Sequence, residues 1–346
     1  MEEPTLTIYL GIFFVSLTLS SSLVPLLRKM AYRYSVLDRP NQSHKTHQES
    51  VPYLGGLAIV IPVSLLAIVG PLIIVEATDY SLRTALVLIP AVVMAFVGLV
   101  DDISNLSAFS RFIVQTLVAA AISFYLNRLG FSVLLLDNEI GNILLSIFWL
   151  VGITNAFNFI DNLDGGAAGI TLVASVSLCV LGFWGGQYLI SSISLALAGA
   201  GLGFLWWNAN PARIYLGDSG ALFIGFILAI SLLQFEPNVE SRVASALIPV
   251  FILAVPIIDT SVVVVSRLLN GVSIFQGGRD HLSHRLISLG FDRRKTAYCL
   301  WSLSALLSSL SLVITKVSGD AGRGIAILGV LLMSFLVIWF LRIETV

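Results

Sequence analysis

The sequence predicts an all-α polytopic membrane protein of about eleven transmembrane helices, with its N-terminus outside and its C-terminus in the cytoplasm. Three observations carry that expectation: a composition too apolar for a water-soluble core, a series of apolar runs of spanning length, and a one-sided distribution of Lys and Arg. Of 346 residues, 57% are hydrophobic and 11% charged, and the mean hydropathy is +0.95. Soluble domains carry about 25% charged residues, so much of this chain must face lipid. The net charge of -1 says nothing for a polyanionic partner, and no nucleic acid is expected. Cys179 and Cys299 lie far apart inside apolar runs, which suits packing and offers neither a disulfide framework nor a thiolate metal site.

A helix needs about 20 apolar residues, and at least about 17, to cross the hydrocarbon core. The runs are Leu6–Leu27, Leu54–Val75, Thr84–Val100, Arg111–Leu126, Ile140–Ile160, Gly165–Trp184, Leu189–Trp207, Ser219–Phe235, Val243–Val265, Thr296–Thr315 and Gly324–Leu341. Glu2 and Glu3 precede the first run, where a secretory signal would be basic, and the run is too long for a signal core. It is expected to stay as the first helix. Basic loops remain in the cytoplasm. With the loop after the first run inside, inside segments hold fourteen Lys and Arg residues and outside segments five. The chain is expected to form one integral membrane domain, 1–346, in the plasma membrane. Its cytoplasmic active-site loops are 28–53, 101–111, 155–165, 208–220 and 266–295.

All four histidines (His44, His47, His281 and His284) and nine of the twenty acids fall in those loops. Acids at a membrane boundary are costly unless paired, hydrated or metal-bound. The adjacent carboxylates of Asp101 and Asp102 repel, so they need a cation or a shared proton; the alternative is a solvated turn before the next helix. Asn155, Asn158, Asp161 and Asp164 recur every three residues, a polar stripe on a helix face, with Asp164 also placed to cap the following helix. Asp218 sits between Gly217 and Ser219-Gly220 at a helix start, which suits a cap, a close-approaching ligand or a phosphate. Oxygen donors of this kind fit Mg²⁺, and no Cys/His spacing suggests zinc. Arg279, His281, His284 and Arg285 make a cationic segment suited to phosphate, or to anionic lipid. Hard-metal ligands, phosphate-binding cations and the aromatic Tyr215 in one topological plane are equipment for phosphoryl transfer.

These five ordered segments, from Asp38-Arg39-Pro40-Asn41 to Arg285, resemble the polyprenyl-phosphate N-acetylhexosamine-1-phosphate transferase family. Its members include the undecaprenyl-phosphate GlcNAc-1-phosphate transferases and the phospho-MurNAc-pentapeptide transferases. The resemblance implies that Lys45 and His47 lie near substrate phosphates. It implies that Asp101 and Asp102 deprotonate or orient the lipid phosphate, and that Asp161 is a further active-site acid. Asp218 and Asn158 would hold Mg²⁺, with Mn²⁺ as a substitute. Asp164, Asn208 and Tyr215 would bind the uridine, and Arg279, His281, His284 and Arg285 the sugar and phosphates. The implied partners are a UDP-sugar, a polyprenyl phosphate and the bilayer, and the family admits homodimers. Two places depart from the family pattern. Asn162 stands where Asp-Gly-x-Asp-Gly has its first glycine, and Ser283 stands in a segment where a third histidine is usual.

The expected reaction is transfer of GlcNAc-1-phosphate from UDP-GlcNAc to undecaprenyl phosphate with release of UMP, the first membrane step of a cell-envelope glycan. The alternatives are phospho-MurNAc-pentapeptide transfer and, in a different class, a transporter with an acidic cytoplasmic gate. Transport calls for ionisable groups near mid-membrane; Asp259, in Pro256-Ile257-Ile258-Asp259-Thr260, is the one such residue, and its simplest reading is a buried, paired structural acid.

Overall fold

A computed structural model describes residues 6–38, 51–74, 78–133, 135–317 and 319–344. In chain order the elements are α1 (Leu6–Tyr34), β1 (Leu37–Asp38), β2 (Val51–Pro52), a single 3₁₀ turn (Leu54–Gly56), α2 (Leu57–Ile74), α3 (Thr78–Ser104), α4 (Ala108–Arg128), α5 (Glu139–Ile160), α6 (Gly166–Trp184), α7 (Tyr188–Asn208), α8 (Gly217–Gln234), α9 (Arg242–Ile252), α10 (Ala254–Leu269), α11 (Leu282–Ser288), α12 (Arg293–Ile314) and α13 (Gly319–Leu341). The two short strands pair antiparallel, Leu37 opposite Pro52 and Asp38 opposite Val51.

Nine helices among the described residues are long and apolar enough to cross a membrane, or ten if α9 and α10 form one bent span. The protein is therefore a multi-pass membrane protein. The sequence reading of eleven differs at two places. The Leu54–Val75 run gives the 3₁₀ turn and α2, whose apolar helical stretch Leu54–Val69 is shorter than the other spans. The Val243–Val265 run is not one straight span, because α9 and α10 meet at 81°. Prolines explain the break. Pro256 has no N–H to give the carbonyl of Ile252, and the α10 helix restarts just ahead of it, where a first-turn proline is tolerated. Ser308 of α12 donates its hydroxyl to that Ile252 carbonyl at 3.3 Å, and Ser311 donates to the Ile248 carbonyl at 2.9 Å. Backbone freed inside a membrane domain is thus satisfied by a neighbouring helix.

Helix α8 is the axis. In its membrane window 89% of residues are buried against other helices, whereas α1 and α13 have 22%. Small residues set these contacts, as expected where lipid gives helices no hydrophobic reason to associate. On α7, Gly199 and Gly203 lie one turn apart, and a Cβ at either would stand 2.4 Å from a carbonyl oxygen of α1, Phe13 or Leu17. Ser16 and Ser20 of α1 donate back to the carbonyls of Ala196 and Ala200 at 2.6 and 2.8 Å.

The start of α8 is pinned the same way from two sides. A Cβ on Gly56 would lie 2.2 Å from the Gly220 nitrogen, and one on Gly98 of α3 would lie 2.3 Å from the Asp218 carbonyl oxygen. Neither neighbour is a side chain that can turn aside. Gly98→Ala is therefore expected to push α3 off α8 and to lower stability by about 1–3 kcal/mol, read as a lower unfolding temperature in detergent. An unchanged temperature contradicts the close crossing.

Candidate active site

Five chain segments meet at one end of the bundle: the β1–β2 pair, the end of α3, the α5–α6 turn, the α7–α8 connection and the segment between α10 and α12. Between them is a cavity of about 840 Å³ lined by Tyr53, Arg111, Asn158, Asp161, Asp164, Asn208, Tyr215, Arg279, His281 and His284, among others. That volume suits a nucleotide-sized ligand.

Asp218 is the junction of the site, in the first turn of α8. Its Oδ1 accepts Nδ2 of Asn158 from α5 at 2.7 Å, and its Oδ2 is ion-paired with Nη1 of Arg111 from α4. The same guanidinium nitrogen pairs with Asp101. Arg111 and Asn158 line the cavity, and Asp218 lies directly behind them.

The acidic pair is not a solvated turn. Helix α3 runs past the expected end at Val100 to Ser104 and carries both carboxylates on its last turns. Asp101 is buried; its Oδ1 accepts the Leu106 N–H at 2.6 Å while its Oδ2 holds Arg111. Helix α4 is capped instead by Ser107, whose Oγ accepts the Ser110 N–H. Asp102 reaches across to α8, where Oδ1 and Oδ2 accept the N–H groups of Asp218 and Ser219 at 2.8 and 3.1 Å. Its carboxylate thus caps a helix on which it does not sit, and its charge lies favourably at that N-terminus. Gly217 makes this possible: its φ is +72°, and a Cβ there would come within 2.8 Å of Asp102 Oδ2.

Asp164 does not cap α6. Gly165 takes that place in the left-handed region, with φ at 73°. The Asp164 Oδ2 accepts Asn210 Nδ2 at 2.8 Å and the Ala212 N–H at 3.1 Å. Asn208 answers from the other loop, accepting the Gly165 N–H and donating to the Ile214 carbonyl, both at 2.9 Å. Together they fasten the α5–α6 turn to the α7–α8 connection and set the cavity wall that Tyr215 shares with Tyr53. Those two rings lie 5.9 Å apart at 52°.

Asp161 follows the end of α5 and accepts no hydrogen bond among the described residues. Desolvation, then the charges of Asp218, Asp102 and Asp164, push its carboxyl well above the usual range. A wall that crowds carboxylates around one shared guanidinium favours a further cation. The metal-binding atoms that Asp218 and Asn158 offer are oxygens, and no three acidic, histidine or cysteine ligands converge among the described residues. That fits Mg²⁺, which keeps waters and takes substrate phosphates beside one or two protein groups.

The histidine segment is held from behind. Arg267 of α10 grips Asp280 with two bonds, Nε and Nη2 at 2.8 and 2.9 Å, and donates Nη1 to the Ile274 carbonyl at 2.8 Å. Partial burial opposes the charge on Asp280, but Arg267 outweighs it and leaves the carboxyl below its usual range. His281 and His284 line the cavity with ring centroids 6.4 Å apart. Burial, with His281 and Arg279 nearby, holds His284 down to about 4 from 6.5. The folded protein thus refuses a proton that the unfolded chain takes below pH 6.5. Its stabilising effect is full above pH 6.5 and is lost as pH falls from 6.5 towards 4. Wild type is expected to lose more thermal stability between pH 7 and 4.5 than His284→Gln does. Equal losses contradict a half-buried His284 that stays neutral in the folded protein.

Arg285 is not brought to the cavity. It is buried, and its guanidinium donates to the carbonyls of Asp280, Phe340 and Ile343 and to Ser266 Oγ. It closes the C-terminal end of α13, a use that suits a cation at a helix C-terminus. Lys45 and His47 lie outside the described residues.

Residues 84–236 match the profile of Glycosyl transferase family 4. The chain is 35% identical to the probable undecaprenyl-phosphate N-acetylglucosaminyl 1-phosphate transferase of Bacillus subtilis, over 88% of this chain and 84% of the relative. The chain belongs to Glycosyl transferase family 4. It is also 31% identical to the decaprenyl-phosphate N-acetylglucosaminephosphotransferase of Mycolicibacterium smegmatis, over 80% of this chain and 74% of that one. A phospho-N-acetylmuramoyl-pentapeptide-transferase of Geobacillus is 29% identical, over 87% and 95%.

In this family 4 transferase the two departures from the motif pattern meet each other. Ser283 Oγ donates to Asn162 Oδ1, tying the histidine segment to the α5–α6 turn. Residue type and spacing mark neither as a contact, nor Arg111, Tyr53 or Arg267 as cavity residues. Arg111 had one signal: a lone cation beside an acidic pair at a membrane edge. Asp259 is paired, as expected, and its partner is His281.

Proposed function

We propose that this chain transfers N-acetylglucosamine-1-phosphate from UDP-GlcNAc to a polyprenyl phosphate such as undecaprenyl phosphate at the cytoplasmic face of the plasma membrane, releasing UMP and forming a lipid-linked sugar pyrophosphate. The observation that carries the reading is the convergence of Asp218, Asn158 and Arg111 at the cavity from three different helices. The curated relatives named for GlcNAc-1-phosphate transfer support the substrate, as does a histidine segment without three consecutive histidines. The cavity also borders apolar surface suited to a lipid: Phe112 beside Arg111 contacts Phe275 at 6.2 Å, and Phe109, Leu268 and Leu269 are exposed nearby in the chain.

Mg²⁺, with Mn²⁺ as a substitute, would be held by Asp218 and Asn158 and would neutralise charge on the pyrophosphate and on departing UMP. Tyr53 and Tyr215 offer ring faces to the uracil, on a wall set by Asp164 and Asn208. Arg279 and His281 face the sugar phosphate. Arg111 binds phosphate oxygens in its planar fork. A lipid-phosphate oxygen attacks the β-phosphorus, the bond to the bridging oxygen breaks, and the electron pair leaves with UMP. The lipid phosphate is already anionic at neutral pH, so a strong base is unnecessary. The hydrogen bonds of Asp101 and Asp102 support orienting roles: Asp101 aims Arg111, and Asp102 aims the helix that carries Asp218.

The purified protein, given UDP-GlcNAc labelled at the β-phosphate and no lipid, is expected to stay unlabelled; with undecaprenyl phosphate the label moves to the lipid. Labelled protein would overturn direct transfer in favour of an aspartyl-phosphate route. Label transfer from UDP-MurNAc-pentapeptide alone would overturn the sugar assignment.

A further inference from the structure

Asp259 is fully buried on α10, in an apolar stretch between Ile258 and Thr260. A carboxylate so placed is costly unless both oxygens are satisfied, and both are. Oδ1 accepts the Leu282 N–H at 2.7 Å, in the first turn of α11, and Oδ2 lies 2.8 Å from His281 Nδ1. A carboxylate only accepts, so the proton on that contact belongs to Nδ1. His281 lines the cavity, and the edge of its ring opposite Nδ1 carries Nε2. Phe159 meets the ring edge-on at 5.8 Å and fixes its plane. The groups around the imidazole are Asp259 and Arg267 on α10, Arg279 and Asp280 in the preceding segment, His284 on α11 and Arg293 at the start of α12. Arg267 is neutralised by Asp280, while Arg279 and Arg293 bring positive charge to the same cavity wall. That wall suits an anion.

We propose that Asp259 is a positioning residue for His281, holding the ring with Nδ1–H turned into the protein so that, as the imidazolium, it donates Nε2–H to a phosphate oxygen of the nucleotide-sugar. The naming of that ligand rests on the function proposed above; the orientation of the ring does not. A carboxylate behind a working imidazole fixes both its tautomer and its direction, and it supports the cation that forms when Nε2 meets an anion.

The chain has four histidines, so ¹⁵N-histidine labelling gives a readable NMR spectrum, with His281 assigned by its loss in His281→Ala. In the wild-type protein His281 Nδ1 is expected to be protonated, as the neutral Nδ1–H tautomer or as the cation. Asp259→Asn keeps an oxygen for the Leu282 N–H and turns its NH₂ to Nδ1, so the proton moves to Nε2. The turnover rate is then expected to fall about 100-fold with little change in KM for the UDP-sugar. In a His281→Ala background the same change should add less than about threefold. An unprotonated Nδ1 in wild type overturns the proposal, whatever the variant does. So does an Asp259→Asn loss of the same size in the His281→Ala background, which would mark a purely architectural acid. Normal activity in His281→Ala would instead count against the transferase reading of this wall, with the spectrum unaffected.

Discussion

Asp218→Ala is expected to lower the rate of UMP release by about a thousandfold or more while the protein still inserts and folds. Two helices place polar groups on this one carboxylate, Arg111 of α4 and Asn158 of α5, while Asp102 of α3 accepts the backbone N–H of the same residue. Removing it deletes the charge that the cation and the pyrophosphate would both depend on, and single preorganised groups of this kind are worth about 10²–10³ in rate even without a metal. The fold is expected to survive, because the backbone contacts that pin α8 are made by Gly56 and Gly98 and do not use the side chain. Arg111 keeps Asp101 as a partner. UMP release measured on matched amounts of folded protein checks this. Activity within a few-fold of wild type would remove Asp218 from the centre of the site.

Asp102→Ala is expected to cost both stability and activity, which separates it from its neighbour. Its two oxygens are the acceptors for two first-turn N–H groups of α8. Orphaning a buried donor costs about 1–3 kcal/mol, so for two donors a loss of roughly 2–6 kcal/mol is expected, seen as a large drop in unfolding temperature. Activity should fall with it, since the freed turn carries Asp218. Asp101→Asn is expected to abolish transfer with a smaller stability loss, because Asn can still accept the Leu106 N–H but no longer neutralises Arg111. A wild-type unfolding temperature for Asp102→Ala would show that α8 is capped by something else.

The spans were legible because lipid imposes a length and a composition on each helix independently of its neighbours. The site segments were legible because polar residues at a membrane edge stand out against apolar runs. What escaped the sequence was direction. The break at Leu253 hides in a continuous apolar run, and only the hydroxyl of Ser308, over fifty residues on, shows how the freed Ile252 carbonyl is satisfied. Arg285 read as a phosphate ligand because it stands in a cationic segment with Arg279, His281 and His284, and its partners are carbonyls 55 and 58 residues away. Asp102 read as half of an acidic pair, whereas each member serves a different helix. Residue type and spacing indicate which groups are costly to bury; tertiary packing decides which partner relieves the cost.

The central claim is a metal-dependent transfer from a nucleotide-sugar to a polyprenyl phosphate at the Asp218 junction. Its most direct test is UMP release by the purified protein from UDP-GlcNAc, with and without undecaprenyl phosphate and Mg²⁺. Release is expected only when both are present, is expected to return with Mn²⁺ after chelation, and should be absent in Asp218→Ala. Release that persists without the lipid, or that is indifferent to a chelator, would contradict the account.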